Sequence, residues 1–465
     1  MEVNMKKESK FKTPHTFVIL VALIFIAAVA TYFIPAGEFT RYVDEATGRT
    51  LVEAGSYTTI ESNPINFLNI PSVIYRAMVK SAEIMMFIIV VGASFEIITS
   101  TNALTALCKR ISKSFNGKEL FVIPTFLIIF SILGFTMGMS SEVMIFVPIG
   151  ITLAYSLGLD KVTGTAMITM GAASGFTAGL LNPFNVGVAQ AIAEVPMFSG
   201  IGFRVVILVV LLLADSAYII WYARRVKKDP SKSIIYGIEE VDEYKFDDKD
   251  SKITKSQIAV LIIMVIGFGV LIYGLMELDW YFEEMAGIFI AMGVISGLVS
   301  GMGANKIAST FGKGAAGVIT GALIVGVARG VEVVLTDAMI LDTIVNAIAN
   351  LVESIPQSIQ AVGMFISQSL VNCVITSGTG QAAVTMPLMV PVADLVGISR
   401  QTAVLAFQLG DGFSNSILPT SSALMGYLVV SKIPYAKWLK FMVPLFLIWT
   451  ALGCIFMLIA VGIGY

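Results

Sequence analysis

GMSSEVMIFVP (Gly138–Pro148) and SGTGQAAVTMP (Ser377–Pro387) interrupt two otherwise apolar stretches in the same manner, with a glycine and hydroxyl-rich break that runs on to a proline. Each is followed by a second interruption, LLNPFN (Leu180–Asn185) in the first copy and GDGFSNSILPTSS (Gly410–Ser422) in the second. Glu142 and Gln381 lie 239 residues apart (381 − 142), and the same offset pairs Pro148 with Pro387, Leu159 with Ile398, Lys161 with Arg400 and Gly171 with Gly410. Three residues are then lost, because Pro183 matches Pro419 at an offset of 236 (419 − 183). Backbone exposed to lipid is not tolerated, so such breaks must be buried in protein or border a watery cavity. Two matching breaks in two halves point to the substrate site of a transporter.

Composition puts the chain in a membrane. Hydrophobic residues make up 56% and charged residues only 13%, with a mean hydropathy of +0.86, against ~25% charged residues in soluble domains. Several long apolar runs within 465 residues describe a polytopic helical protein. The net charge of −2 is uninformative, and the basic residues fall in short clusters between apolar runs, so nucleic acid is not an expected partner. Cys108, Cys373 and Cys454 form no CxxC or metal-ligand spacing and read as small packing residues. His15, the sole histidine, is read as interfacial.

Lys6, Lys7, Lys10 and Lys12 precede the apolar run Phe17–Ala30, which ends in Ala28-Val29-Ala30 like a cleavable signal peptide. The apolar character continues through Tyr32, Phe33 and Ile34, so an uncleaved first span is expected, with the N-terminus cytoplasmic. Spans are then expected over about 16–35 and 81–100, with an interfacial helix near 65–80 and basic residues Lys109, Arg110, Lys113 and Lys118 inside. A re-entrant hairpin is expected over 120–159, interrupted at 136–142, followed by a broken helix over 162–193 and a span over 202–222. Residues up to Lys255, dense in charge at Asp247, Asp248, Lys249, Asp250 and Lys252, read as a solvated linker. Spans near 257–276, 284–303 and 315–334 follow, the first two joined by an acidic loop carrying Glu277, Asp279, Glu283 and Glu284. Asp337, Asp342 and Glu353 then mark an outer loop, before a second hairpin over 359–396, a broken helix over 402–430 and a last span. Parity makes the two hairpins enter from opposite faces, giving inverted repeats, although Arg76 and Lys80 fall on the outer side against the positive-inside rule.

The wording GMSSEVMIFVPIGITLAYSLGLDKVTG, with LLNPFN and then GDGFSNSILPTSSALMGYL, resembles the YfcC-type branch of the C4-dicarboxylate anaerobic carrier family, within the ion transporter superfamily. The resemblance covers essentially the whole chain and is specific in the two repeat cores. It implies an all-α polytopic membrane fold with an elevator mechanism, in which hairpins and broken helices slide against a dimeric scaffold. On that plan residues 1–118 are N-terminal spans, mainly scaffold, and 119–223 the first half of the transport domain. Residues 224–256 are the cytoplasmic linker, 257–358 scaffold spans, and 359–465 the second transport-domain half. Substrates implied by the resemblance are amino acids or dicarboxylates, and the setting is the inner (cytoplasmic) membrane, with lipid and a second copy of the chain as partners.

The chemistry of the breaks can be read independently. Interrupted helix ends offer free N–H groups to an anion and free carbonyls to a cation, and Ser, Thr and Asn add neutral ligands. Ser140, Ser141, Asn182 and Asn185 are the candidates in the first half; Ser377, Thr379, Asn415, Thr420, Ser421 and Ser422 are their counterparts. A Na⁺ site near Ser141 and Asn182, or near Thr379 and Asn415, fits this donor set, and H⁺ is the alternative coupling ion; no other cofactor is expected. Gly171, Gly175 and Gly179, spaced at four, read as helix packing. Ionisable residues at membrane depth are sharper signals. Glu142 at the first hairpin tip and Asp411 at the opening of the second broken helix are placed near the site. Two carboxylates there suit a cationic amino acid, a proton or Na⁺ better than a dicarboxylate. Arg329 and Glu332 are expected to pair on one helix face, and Asp215 and Glu96 are left outside the site as interhelical contacts.

An ATP-driven pump needs GxxxxGK[ST], and FGKG at 311–314 lacks that spacing. An intramembrane enzyme is the runner-up from another class, yet HExxH is absent and Ala172 stands where a partner acid for Asp411 would fall. A channel also uses re-entrant loops, but duplicated broken helices favour a carrier. The expectation is a secondary active transporter, symporter or exchanger, of a small carboxylate-bearing solute, most simply an amino acid and a basic one, with a C4-dicarboxylate as the alternative.

Overall fold

The computed structural model describes residues 16–44, 49–53, 55–104, 106–107, 110, 119–238, 253–278, 280, 282–356 and 359–465. Lys6, Lys7, Lys10, Lys12, His15, Cys108, Lys109, Lys113, Lys118, Asp279 and the charged run 247–252 lie outside these residues. The described chain is mostly helical, and six of its helical stretches are long and apolar enough to cross a membrane: Ala82–Ser100, Glu119–Thr136, Ile201–Lys228, Phe282–Val299, Ala304–Asp337 and Tyr435–Gly462.

The two copies seen in the sequence fold alike. In the first, α4 (Val122–Met137) ends at Gly138 in a left-handed conformation, and a 3-10 turn (Ser141–Phe146) leads into α5 (Val147–Ser156). Next, α6 (Lys161–Ala178) stops at left-handed Gly179, a π turn spans Pro183–Gly187, and α7 (Val188–Ile192) completes the broken helix. In the second copy the hairpin is α14 (Gln360–Asn372) and α15 (Gly378–Leu395), and the broken helix is α16 (Arg400–Ser414) and α17 (Ser422–Ser431). The offset of 239 holds at the turns between hairpin and broken helix. Gly158 and Gly397 (397 − 158) have φ of +72° and +73°. Asp160 and Ser399 (399 − 160) both cap the following helix, accepting from the backbone of Thr163 and Thr402. Both hairpin arms pack on the broken helix of their own copy, and α6 packs on α16. The approach needs glycine: a Cβ on Gly412 would lie 2.2 Å from the Thr177 hydroxyl.

Around these copies run α1 (Thr16–Ala30), α2 (Ile70–Lys80), α3 (Ala82–Ser100), α8 (Ile201–Lys228), α9 (Lys255–Glu277), α10 (Phe282–Val299), α11 (Ala304–Ala328), α12 (Gly330–Asp337) and α18 (Tyr435–Gly462). Helix α3 packs on α10 and α11, and α11 faces α17. A smaller apolar cluster, including Leu20, Ile24, Val73, Ala77 and Val334, joins α1, α2 and α12.

Several sequence expectations need correction. The first span is a 15-residue helix that gives way to a turn after Ala30, ahead of Pro35. The expected span at 315–334 covers the end of α11 and α12, divided at Arg329. The architecture is not purely helical either. β1 (Gly37–Glu38) pairs antiparallel with β4 (Thr58–Thr59), and β2 (Arg41–Asp44) with β3 (Arg49–Val52). The acidic stretch assigned to an outer loop contains α13 (Leu341–Glu353), which buries Val345, Ala349 and Val352. Its Asp342 is buried because Arg41 binds it at 2.8 Å and the Phe39 N–H donates to it at 3.1 Å. Beyond α8, residues Pro230–Ile238 form a strap against the first copy. Ser233 and Tyr222 each donate to the same oxygen of Asp160, both at 2.6 Å.

Candidate functional site

Hairpin tips and helix breaks converge. A Cβ on Gly138, at the first tip, would lie 2.6 Å from the Asn182 side-chain oxygen, so only glycine lets that tip seat on the first break. The Tyr427 hydroxyl of α17 donates to the Ser140 carbonyl, tying the first tip to the second broken helix. At the second tip, Gly378 rests directly on the pair Asn185–Asp411, with a would-be Cβ 2.9 Å from each. Thr420 of the second break donates to the Cys373 carbonyl at 3.4 Å.

These segments enclose a cavity of about 770 Å³. From the first copy it is lined by Ser140, Ser141, Glu142 and Asn185, and from the second by Ser377, Thr379, Asn415, Thr420, Ser421 and Ser422. Asn182 and Asp411 do not line it; both are fully buried, one layer behind the wall. Glu142 is half-buried, and its carboxylate accepts the Ser140 N–H at 3.0 Å. The surrounding helices add charged groups to the lining, Lys80, Glu83, Arg329 and Glu332, beside apolar ones such as Ile84, Phe282 and Val325. Arg329 and Glu332 do pair, at 3.3 Å, across the junction of α11 and α12, and they do so in the cavity wall.

Asp411 anchors an amide network that reaches both copies. Its carboxylate accepts from the Asn185 amide at 2.5 Å and from the Asn415 amide at 3.1 Å. Asn372, the last residue of α14, donates to the Asp411 carbonyl at 3.0 Å, the Ser414 hydroxyl at 2.7 Å and the Asn415 oxygen at 3.0 Å. All of Asp411's partners among the described residues are neutral. Asp215 and Glu96 make interhelical contacts: Ser174 and Trp449 donate to Asp215 at 2.5 and 2.8 Å, and Lys313 meets Glu96 at 2.8 Å.

Residues 13–462 match the C4-dicarboxylate anaerobic carrier family. The chain is also 33% identical over 477 residues to YfcC of Escherichia coli (strain K12), provisionally named a basic amino acid antiporter, covering 94% of each chain. This chain belongs to the C4-dicarboxylate anaerobic carrier family. It is a transporter with a multi-pass membrane fold. An uncharacterised protein of Haemophilus influenzae (strain Rd) is 27% identical over 98% of this chain and 99% of its own length. Among solved structures, the Alcanivorax borkumensis YdaH transporter aligns with a TM-score of 0.42 at 13% identity, over 97% of this chain and 99% of its own. Neisseria gonorrhoeae MtrF aligns with a TM-score of 0.40 at 16% identity, over 95% of each chain.

Within this family member, sequence reasoning missed Asn372 and the charged groups that the surrounding helices add. Asn372 stands in FISQSLVN, where nothing separates it from ordinary polar helix residues. Lys80, which departs from the charge rule, stands in the cavity lining. Its companion Arg76 is balanced by Asp337 at 2.6 Å.

Proposed function

We propose that this family member is a secondary active carrier that moves an amino acid, a basic one, by exchange or by symport with Na⁺ or H⁺. The observation that carries this reading is the single cavity bordered by both hairpin tips and both helix breaks, with the Glu142 carboxylate at one tip. The neutral hydroxyl and amide groups of the lining suit a zwitterionic backbone, and the carboxylates Glu142, Glu83 and Glu332 suit a cationic side chain. The name of the Escherichia coli relative supports the same class. A C4-dicarboxylate is the second reading, favoured by Lys80 and Arg329 in the same lining. Within the proposal, Ser141, Asn182, Thr379 and Asn415 lie near the coupling ion, and the neutral oxygens they supply fit Na⁺. The hairpins and broken helices slide as an elevator of inverted repeats against a homodimeric scaffold. The chain resides in the cytoplasmic membrane with its N-terminus inside and works by moving solute, not by transforming it.

Counterflow tests the proposal. Proteoliposomes loaded with unlabelled arginine are expected to accumulate labelled arginine transiently, with lysine competing and succinate not. Exchange of succinate without arginine would return the dicarboxylate reading. Non-saturating flux would make the protein a channel.

A further inference from the structure

We infer that Arg204 is a built-in cation at the first helix break, so that one exchangeable positive charge, at the second break, completes the site. This deepens the proposed carrier function and rests on it. Helices α8 and α18 each follow a broken helix, and the fourth residue of each, Arg204 and Trp438, is fully buried. Each turns a side-chain N–H onto a carbonyl where the half-helix gives out, the last residue of α6 in the first copy and a turn residue just beyond the end of α16 in the second. Arg204 Nη1 donates to the Ala178 carbonyl at 3.3 Å, and Trp438 Nε1 donates to the Ser416 carbonyl at 3.1 Å. The two contacts are alike in place and differ in charge.

A half-helix ends in unpaired carbonyls with partial negative charge, the feature that attracts a cation. In the first copy that role is filled covalently by a guanidinium. Its other polar neighbour is Tyr465, and no carboxylate pairs with it among the described residues. In the second copy the donor is a neutral indole, and Asp411 stands beside the break instead, held by the Asn185 and Asn415 amides. The charged and titratable side chains on the helices packed against α16 are Lys161, Asp394, Tyr435, Lys437, Lys440 and Cys454, with Cys373 following Asn372. None of them is bonded to Asp411. A buried carboxylate held only by neutral groups is strongly unfavourable, so this break takes a single positive charge from outside, a proton or Na⁺; Asp215, held by Ser174 and Trp449 alone, is separately assigned a proton of its own.

The test needs no organic solute. Melting of the purified full-length protein is followed as Na⁺ replaces choline, at one acidic and one alkaline pH. Ligand stabilisation grows with the logarithm of concentration in proportion to the ions bound. The wild type is expected to respond to Na⁺ with the slope of one ion, or to pH with one proton more than Asp411→Asn, and Asp411→Asn to lose that ion. Arg204→Lys should keep the wild-type slope, and Arg204→Gln should gain a Na⁺ response of one further ion. Slopes separate the two sources: a Na⁺ slope identifies the metal ion, and a pH response one proton smaller in Asp411→Asn identifies the proton. A two-ion Na⁺ slope in the wild type, an Asp411→Asn response equal to the wild type's, no wild-type response to either ion, or an unchanged slope in folded Arg204→Gln each overturns the inference. Should Arg204→Gln not fold, the slopes of wild type, Arg204→Lys and Asp411→Asn still decide. Arginine flux plays no part, so failure of the substrate assignment is a separate result.

Discussion

Asp411 stands where the second hairpin tip and both broken helices meet, and its partners define what substitution there will do. Asn185→Ala removes the amide that donates to it at 2.5 Å. Leaving a buried acceptor short of a donor costs about 1–3 kcal/mol, and more when the acceptor is charged. A lowered melting temperature is expected, partly restored in the double variant Asn185→Ala/Asp411→Asn, where the charge needing that donor is gone. Glu142→Gln should act differently, because Glu142 borders the cavity itself. Competition assays in proteoliposomes should show the preference for arginine over a neutral amino acid falling at least about tenfold, the equivalent of ~1.4 kcal/mol. Asp411 and Glu142 were legible because a carboxylate amid apolar sequence needs a reason to be there. Arg204 was not, since an arginine in the first turn of an apolar helix looks interfacial until the fold buries it.

At the scale of elements, two of the three glycines spaced at four, Gly171 and Gly175, pack helix on helix. A Cβ on Gly171 would lie 2.6 Å from the Leu127 carbonyl oxygen and one on Gly175 2.1 Å from that of Ser131, so α6 lies directly on the backbone of α4. Gly179 instead ends the helix at φ +56°. Gly175→Val should therefore destabilise by about 1–3 kcal/mol through overpacking. Gly202→Ala, which meets nothing within 4 Å, should leave the melting curve in place. The matched prolines show where pattern stops dictating geometry: Pro148 follows a 3-10 turn, whereas Pro387 lies inside the continuous α15. Helix α13 was hidden by its acids. Without a basic residue nearby in sequence, Asp342 looked solvated, and its partner Arg41 is 301 residues away.

For the whole molecule, the duplicated plan came from offsets alone, and Gly158 with Gly397 and Asp160 with Ser399 reproduce it in the fold. The rest of the cavity's lining did not, because Lys80, Glu83, Arg329 and Glu332 come from segments outside the repeat motifs. That joint construction makes a prediction. Single cysteines at Ser141 and at Thr379, in a background lacking the native cysteines, should both be protected from a water-soluble maleimide by saturating arginine. Labelling that ignores arginine at both positions would place the solute elsewhere.

The strap held by Asp160 has a mechanical meaning. Because Ser233 and Tyr222 fasten it to the first copy, whatever displaces α6 carries the start of the inter-repeat connection with it. From Ile238 to Lys255 the chain has 17 steps (255 − 238), and at about 3.3–3.6 Å each it spans at most roughly 60 Å. That leash is about twice the ~30 Å of a bilayer's hydrocarbon core. On the proposed elevator, covalent reach therefore sets no limit on a vertical stroke, and travel would be bounded by packing.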